Sequence, residues 1–304
     1  MLESAPSIDG VLVVDKPADW TSHDVVARVR KLARTRRIGH LGTLDPMATG
    51  VLPLVIGRAT RLAQFFTCDS KVYEGVIRFG YSTGTYDREG SPTSEPQAPR
   101  FSRAELEAAI DQFRGEIEQI PPAVSAKKIG GAPAYKLARK QLPVELKPIQ
   151  VTVSRFDLLS FDGVDAAVRV ECSAGTYLRS IAHDLGRMLG CGAFLQTLRR
   201  TASGDFQIEQ AHTVQHLEEL ASSGDLPTVI VPARELLPSF PNEIVDPFTA
   251  SQIRNGRDFR VSPFRVRQGN RYVKAISPDG DLIAIGEARL PNVYHPVLVL
   301  QGQD

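Results

Sequence analysis

The sequence predicts a mixed α+β protein with one large unit followed by a small β-rich one, and three observations predict it. Strand-like and helix-like segments alternate irregularly along 304 residues, which favours α+β or mixed α/β over a doubly wound parallel sheet. Hydrophobic residues make up 42% of the chain, ample for a packed core. Near Pro241 the composition shifts towards short strand-like runs among arginines and aromatics.

Gly10–Asp15 reads as a short buried strand that stops at Lys16-Pro17, because proline cannot donate to a continuing ladder. Thr21 or Ser22 then caps a helix whose Val25, Val26, Val29, Leu32 and Ala33 share one face. The rest of it, with the loop beyond, carries Arg28, Arg30, Lys31, Arg34, Arg36 and Arg37, six positive charges in ten residues with no acid among them. Arg58–Phe66 reads as a short helix and Lys71–Gly80 as a strand. Asp87–Arg100 is dense in Gly, Ser, Pro and Glu, the composition of a mobile surface connection. Ser102 and Glu105 make a capping box for a helix with Leu106, Ala109, Ile110 and Phe113 on its apolar stripe, and Gly115 supplies a stop.

In Gln119–Gln141, prolines and glycines at 121, 122, 130, 131 and 133 break regular structure, while Lys127, Lys128, Lys136, Arg139 and Lys140 make the segment basic. It reads as a protruding insertion ending in a short helix. Strands at about Ile149–Phe161 and Asp165–Ser173 follow, then a helix from about Thr176 to Leu189 and an extended segment at about Leu195–Phe206. Asp205–Asp225 carries five acids and no Lys or Arg, and is expected to face away from any polyanion. Arg254–Lys274 has seven basic residues and one acid, interleaved with Phe259, Phe264 and Tyr272.

Charge totals exclude little: 36 Lys+Arg against 35 Asp+Glu leave +1, so a polyanionic partner must be met by local patches. The apolar runs Val11–Val14 and Val51–Ile56 fall far short of the roughly 20 residues that span a bilayer. No basic residue precedes an apolar stretch in Met1–Gly10, so a secretory signal is not supported and a cytoplasmic location is expected. Cys68, Cys172 and Cys191 form no Cys-x-x-Cys pair and are expected to be buried thiols. Neither Gly-x-Gly-x-x-Gly after the first strand nor a Walker-type loop occurs, no Gly-x-Ser-x-Gly elbow is present, and Thr213 stands where a zinc-protease pattern over His212 and His216 needs Glu.

The stretch with chemical content is Gly39-His40-Leu41-Gly42-Thr43-Leu44-Asp45-Pro46-Met47-Ala48-Thr49-Gly50. Two glycines within four residues let the backbone turn tightly near a ligand, Pro46 fixes the chain after the carboxylate, and Leu44 and Met47 shield it. A carboxylate so placed serves as nucleophile or general base if something keeps it ionised against desolvation. Arg179, in Gly175-Thr176-Tyr177-Leu178-Arg179 at the start of a helix, is the candidate, since its planar fork can hold a carboxylate by two bonds. On residue type alone, a lone Asp in a Gly-rich turn is more often structural, since Asx turns are common.

The Gly39–Gly50 run with Val51-Leu52-Pro53 after it closely resembles the signature of the TruB-type pseudouridine synthases. Gly10–Pro17 resembles that family's first strand, Lys71-Val72-Tyr73 its tyrosine segment, and Gln119-Ile120-Pro121-Pro122 through Arg139 its RNA-gripping thumb. Ser173–Arg179 and Leu198-Arg199-Arg200-Thr201 resemble its remaining core motifs, so the likeness runs in order from about Gly10 to Phe206. Leu41, Pro133, Ala174 and Phe194 depart from the family's usual residues, the second and third by losing a cation.

The resemblance implies a pseudouridine synthase fold with a mixed, largely antiparallel sheet. The catalytic domain is 1–240, with a thumb at about 119–141, and 241–304 is a PUA-like β-barrel that binds RNA. It implies isomerisation of uridine 55 in the T-loop of tRNA after base flipping, with Asp45 as nucleophile, Tyr73 against the base and Arg179 paired with Asp45. Leu198 would pack under the uracil, His40 would stand near the vacated stack, Tyr177 would contact substrate, and Lys16 and Arg61, counted with the substrate-binding residues, would serve structure or phosphate contact. Lys127, Lys128 and Arg139 would bind RNA, with Arg28–Arg37 and Arg254–Lys274 as further basic surfaces. No cofactor, metal, membrane or obligate protein partner is implied, and a monomer is expected. Two other readings remain open: an RNA-binding, tRNA-folding protein whose catalysis is dispensable, and a guide-RNA-dependent synthase.

Overall fold

The computed structural model describes residues 9–66, 70–122, 128–129, 132–133, 147–263 and 269–300. Along the chain, β1 (Gly10–Lys16) is followed by helix α1 (Ser22–Leu32), β2 (Ile38–His40), β3 (Thr49–Ile56), a 3-10 helix over Gly57–Phe66, and β4 (Lys71–Phe79). Helix α2 (Arg103–Asp111) precedes β5 (Gly115–Gln119), and β6 (Lys128–Ile129) pairs with β7 (Ala132–Pro133). A long antiparallel pair, β8 (Ile149–Phe161) and β9 (Asp165–Cys172), leads to helix α3 (Leu178–Met188). Then come β10 (Ala193–Ser203), β11 (Phe206–Gln207), β12 (His212–Thr213), helix α4 (Val214–Ser223) and β13 (Val231–Pro232).

Eleven of the described strands make one sheet, whose main path runs β12-β1-β3-β10-β4-β9-β8-β5. It is antiparallel except at β1/β12 and at the short β3/β10 contact, the mixed, largely antiparallel arrangement expected. At that contact Thr49 and Gly50 lie opposite Arg199 and Arg200. Gly50 has φ +100°, and a Cβ there would stand 2.2 Å from the Arg200 carbonyl oxygen, so only glycine lets these strands meet.

From Asn242 a second sheet forms from β14 (Asn242–Ile244), β15 (Phe259–Arg260), β16 (Tyr272–Ile276), β17 (Leu282–Leu290) and β18 (Val293–Val299), with helix α5 (Pro247–Arg254) packed on it. Its order is β14-β16-β17-β18-β15.

The apolar run in β1 reflects burial on both faces. Side chains alternate across a strand, so Leu12 and Val14 enter a core with Val25 and Val29 of α1 and Ile181 and Leu185 of α3. Val11 and Val13 enter a different core, with Ile285 and Leu298 of the second sheet. β3 divides likewise: Leu52, Leu54 and Ile56 join the first core, Val51 and Val55 the second. The expected capping box of Ser102 with Glu105 forms, and Thr21, one of the two expected caps, makes a second box with Asp24, because each acid reaches back to a helix-end N–H that would otherwise lack a partner.

Several expectations need correction. α2 ends at Asp111 ahead of Gly115 and α3 starts at Leu178 rather than about Thr176, while the short helix expected at 58–66 forms as a 3-10 helix. The acidic stretch also reaches the basic one: Arg28 Nε donates to Glu218 Oε1 at 2.6 Å, which binds α1 to α4. Lys274 is not a surface cation. It is buried, its Nζ donates to the carbonyls of Arg234 and Leu236 at 2.9 Å each, and burial lowers its pKa. Asp87 is likewise buried, whereas its loop had the composition of a mobile surface segment. Among the described residues, no helix is long and apolar enough to cross a membrane.

Candidate active site

The loop between β2 and β3 is fixed on both sides of Asp45. The buried Ser22 hydroxyl accepts from the Leu44 amide at 2.9 Å and donates to the Leu44 carbonyl at 3.1 Å. On the other side, the Pro46 carbonyl accepts from the Asp19 amide at 2.9 Å and from Lys16 Nζ at 3.0 Å. Lys16 is fully buried and also donates to the carbonyls of Pro17 and Trp20, at 2.8 and 2.5 Å. Burial therefore draws its pKa down to about 8, with Asp45 pulling it back up. Its amine is spent on backbone carbonyls, so Lys16 holds the Asp45 loop rather than the substrate.

Arg179, in the first turn of α3, meets Asp45 in fork geometry. Its Nη2 donates to Oδ1 at 3.0 Å and its Nε lies 2.8 Å from Oδ2. Its Nη1 donates to the Thr85 carbonyl at 3.2 Å and lies 3.3 Å from Oδ2 of Asp87. One guanidinium thus faces two carboxylates that differ in access. The Asp45 side chain retains 35% of its surface, while those of Asp87 and Arg179 keep 4% and 5%. Burial raises the Asp45 pKa above the usual carboxylate range, and the Asp87 charge adds to this, while Arg179 and Lys16 oppose it.

The loop carrying Asp87 is fastened as firmly as the one carrying Asp45. The Leu195 amide of β10 donates to the Tyr86 carbonyl at 3.0 Å, and the Arg88 amide to the Leu195 carbonyl at 3.1 Å. Asp87 Oδ1 accepts from the Thr85 hydroxyl and from the Glu89 amide. Tyr86 has φ +64°, a left-handed conformation that costs a non-glycine residue about 1–3 kcal/mol. Its ring stacks on His183 of α3, centroids 3.8 Å apart and planes 16° apart.

Asp45 opens onto a cavity of about 380 Å³, a size suited to a small planar ligand. Leu44, Leu178 and Leu198 contribute apolar wall, and Tyr73, Tyr177, Lys71, Arg179 and Arg200 contribute polar groups. Tyr73 of β4 lies directly across from Arg200 of β10, and Leu198 lies across from Gly75, so the antiparallel register delivers these side chains to one place. Burial raises the Tyr73 pKa, and the Arg200 guanidinium at its hydroxyl opposes the shift. Arg200 is fully buried, with Nε donating to the Val51 carbonyl at 2.7 Å and Nη2 to the Gly42 carbonyl at 3.1 Å. Lys71 Nζ donates to the Ser203 hydroxyl at 2.9 Å. The Gln119 side chain pairs with the Tyr177 backbone, accepting from its amide at 2.8 Å and donating to its carbonyl at 2.9 Å.

The expected site residues thus separate. Asp45, Tyr73, Tyr177, Arg179 and Leu198 come together at the cavity. His40 stands on β2 in edge contact with His23, ring centroids 5.7 Å apart, its pKa lowered chiefly by burial, outside the cavity lining. Arg61 is remote from it and donates to the Val299 carbonyl at the end of β18. Lys127 and Arg139 lie outside the described residues, as do Lys136, Lys140 and Phe264, while Lys128 is described only as backbone of β6. Sequence reasoning did not single out Arg200, Lys71 or Asp87. For Arg200 a signal existed, since it follows Leu198 by two on a strand and so shares its face. Among the described residues, no three His, Cys, Asp or Glu side chains are grouped to hold a metal.

Residues 30–178 match the family described as TruB family pseudouridylate synthase (N terminal domain), and residues 179–238 match the tRNA pseudouridylate synthase B C-terminal domain. The chain is 59% identical over 293 residues to the tRNA pseudouridine synthase B of Solibacter usitatus, covering 96% of this chain and all of the relative. It is 45% identical over 302 residues to the protein of the same name from Thermobifida fusca, covering 97% of this chain and 99% of the relative. In fold it is similar to a chain of the solved Cbf5-Nop10-Gar1 complex, with a TM-score of 0.72 at 24% identity over 97% of this chain and 86% of that one.

Proposed function

The chain belongs to the TruB family of pseudouridylate synthases, and on that premise we propose that it isomerises uridine 55 in the T-loop of tRNA, with Asp45 as the reacting carboxylate. The observation that carries this reading is the Asp45 carboxylate, gripped by the Arg179 fork yet still open to a cavity that takes a pyrimidine. The reaction breaks the N1–C1′ bond, joins C5 to C1′, and moves the C5 proton out as N1 gains one. Attack on the ribose, attack on the base and assisted departure of the uracil all require an unprotonated Asp45. Arg179 counters the desolvation that favours the protonated form. Tyr73 and Leu198 sandwich the detached uracil while it turns, and the Tyr177 backbone, held by Gln119, fixes the far wall.

A target base inside folded RNA has to be swung out before it can reach this cavity. His40, on the strand entering the Asp45 loop, meets the RNA beside the vacated position. The phosphates are met by the exposed Arg30, Lys31, Arg34, Arg36 and Arg37 around the end of α1. Arg28 drops out of that surface because Glu218 neutralises it. The thumb and a PUA-like module from residue 241 onward extend the grip, and the protein acts as a cytoplasmic monomer on the T-arm.

Incubating the purified protein with an unmodified T-arm stem, then mapping pseudouridine by nucleotide, tests this. Product is expected at the position of uridine 55 with no added guide RNA. Product elsewhere, or only with a guide RNA, overturns the specificity, and full turnover by Asp45→Asn overturns the role of Asp45.

A further inference from the structure

We infer that the stacked pair Tyr86 and His183 is a positioning clamp that fastens the Thr85–Asp87 turn to α3 and so keeps Arg179 aimed at Asp45. Arg179 and His183 are four residues apart on α3 and therefore share a face. From that face the helix grips one turn at two points. Arg179 holds the Thr85 carbonyl and the Asp87 carboxylate, and His183 lies flat on Tyr86, the residue between them.

Two further features mark the stack as the reason these residues are there. Tyr86 occupies a left-handed conformation that glycine would adopt freely, so its ring must return what its backbone gives up. His183 has a buried Nδ1 with no hydrogen-bond partner, so the ring serves through its face rather than its polar atoms. Burial also lowers the His183 pKa and favours the neutral ring. Without the clamp, the turn keeps its backbone bonds to β10 but loses its ring contact with α3, and the guanidinium that bridges Asp87 and Asp45 is held less tightly.

The inference rests on the reading of Asp45 and Arg179 as site groups, so Asp45→Asn is assayed beside the clamp variants on the unmodified T-arm stem. Tyr86→Ala and His183→Ala are expected to lower kcat about 10- to 100-fold, the usual penalty of slight misplacement, with KM for the RNA changed less than about twofold. Tyr86→Phe and His183→Phe keep two flat rings in contact and are expected to retain rates within about twofold of the parent. Tyr86→Gly removes the backbone strain yet is expected to remain as slow as Tyr86→Ala, which separates positioning from folding. Should Tyr86→Ala not fold, His183→Ala carries the same comparison. A parent-like kcat in both Ala variants, a loss confined to KM, or Phe variants as slow as Ala variants overturns the clamp. If Asp45→Asn is inactive and the Ala variants are not slowed, the clamp alone has failed. If Asp45→Asn turns over normally, the reading beneath it has failed.

Discussion

Two loops bring a carboxylate to Arg179, and they are built for different duties. The Asp45 loop is braced from below by Ser22 and Lys16, which leave its carboxylate facing the cavity with a third of its surface open. The Asp87 loop is laced to β10, and its carboxylate is closed off between the Thr85 hydroxyl, the Glu89 amide and Arg179. The contrast teaches that a shared cation does not make two acids equivalent. On the proposed reading, the acid with an accessible oxygen reacts, and the sealed one sets where the arginine points.

That division of labour can be broken by substitution. The largest expected effect is in Asp45→Asn, which keeps shape without charge and should lower kcat at least about a thousandfold while RNA binding persists, as read by single-turnover assay and filter binding. Arg179→Lys should come next, at about a hundredfold or more, because a point charge cannot replace the fork. Asp87→Asn should cost about tenfold and also displace the pH profile. Its charge raises the Asp45 pKa, so removing it should shift the acidic limb of kcat to lower pH. A shift to higher pH would contradict the electrostatic part of the comparison.

The smallest effect concerns stability. The folded-state pKa of Asp45 lies above its unfolded value, so the folded protein binds the extra proton, and stability falls as pH rises from the usual carboxylate range through that raised pKa. Asp45→Asn should therefore melt at or slightly above the parent temperature near neutral pH, by about 1–4 °C. The gap should close in acid. Equal melting at both pH values would mean that Arg179 already compensates burial in full.

The same contrast explains what could be read from sequence. Asp45 was legible because its setting is local: glycines, a proline and flanking apolar residues lie within a dozen positions. The Ser102 capping box, the cap at the start of α1 and the buried β1 were legible for the same reason, since a short pattern decides each. Asp87 was not, because its burial comes from pairing with Leu195 and from Arg179, each more than ninety residues away. Lys274 misled because a lysine reads as a surface cation until the carbonyls that receive its amine are known, and the same kind of carbonyl contact decides for Lys16 between its two expected roles. For Arg61 too the sequence left structure and phosphate contact open, because its partner lies far off in β18.

The alternation along β1 has a consequence for synthesis on the ribosome. Val11 and Val13 are made long before Ile285 and Leu298, which help to complete their core. A nascent chain can complete the helical side of its sheet first, but the opposite side stays partly greasy until the second sheet has been made. Stop codons or proteolytic nicks late in the sequence should therefore yield sticky, chaperone-bound fragments rather than a trimmed working protein.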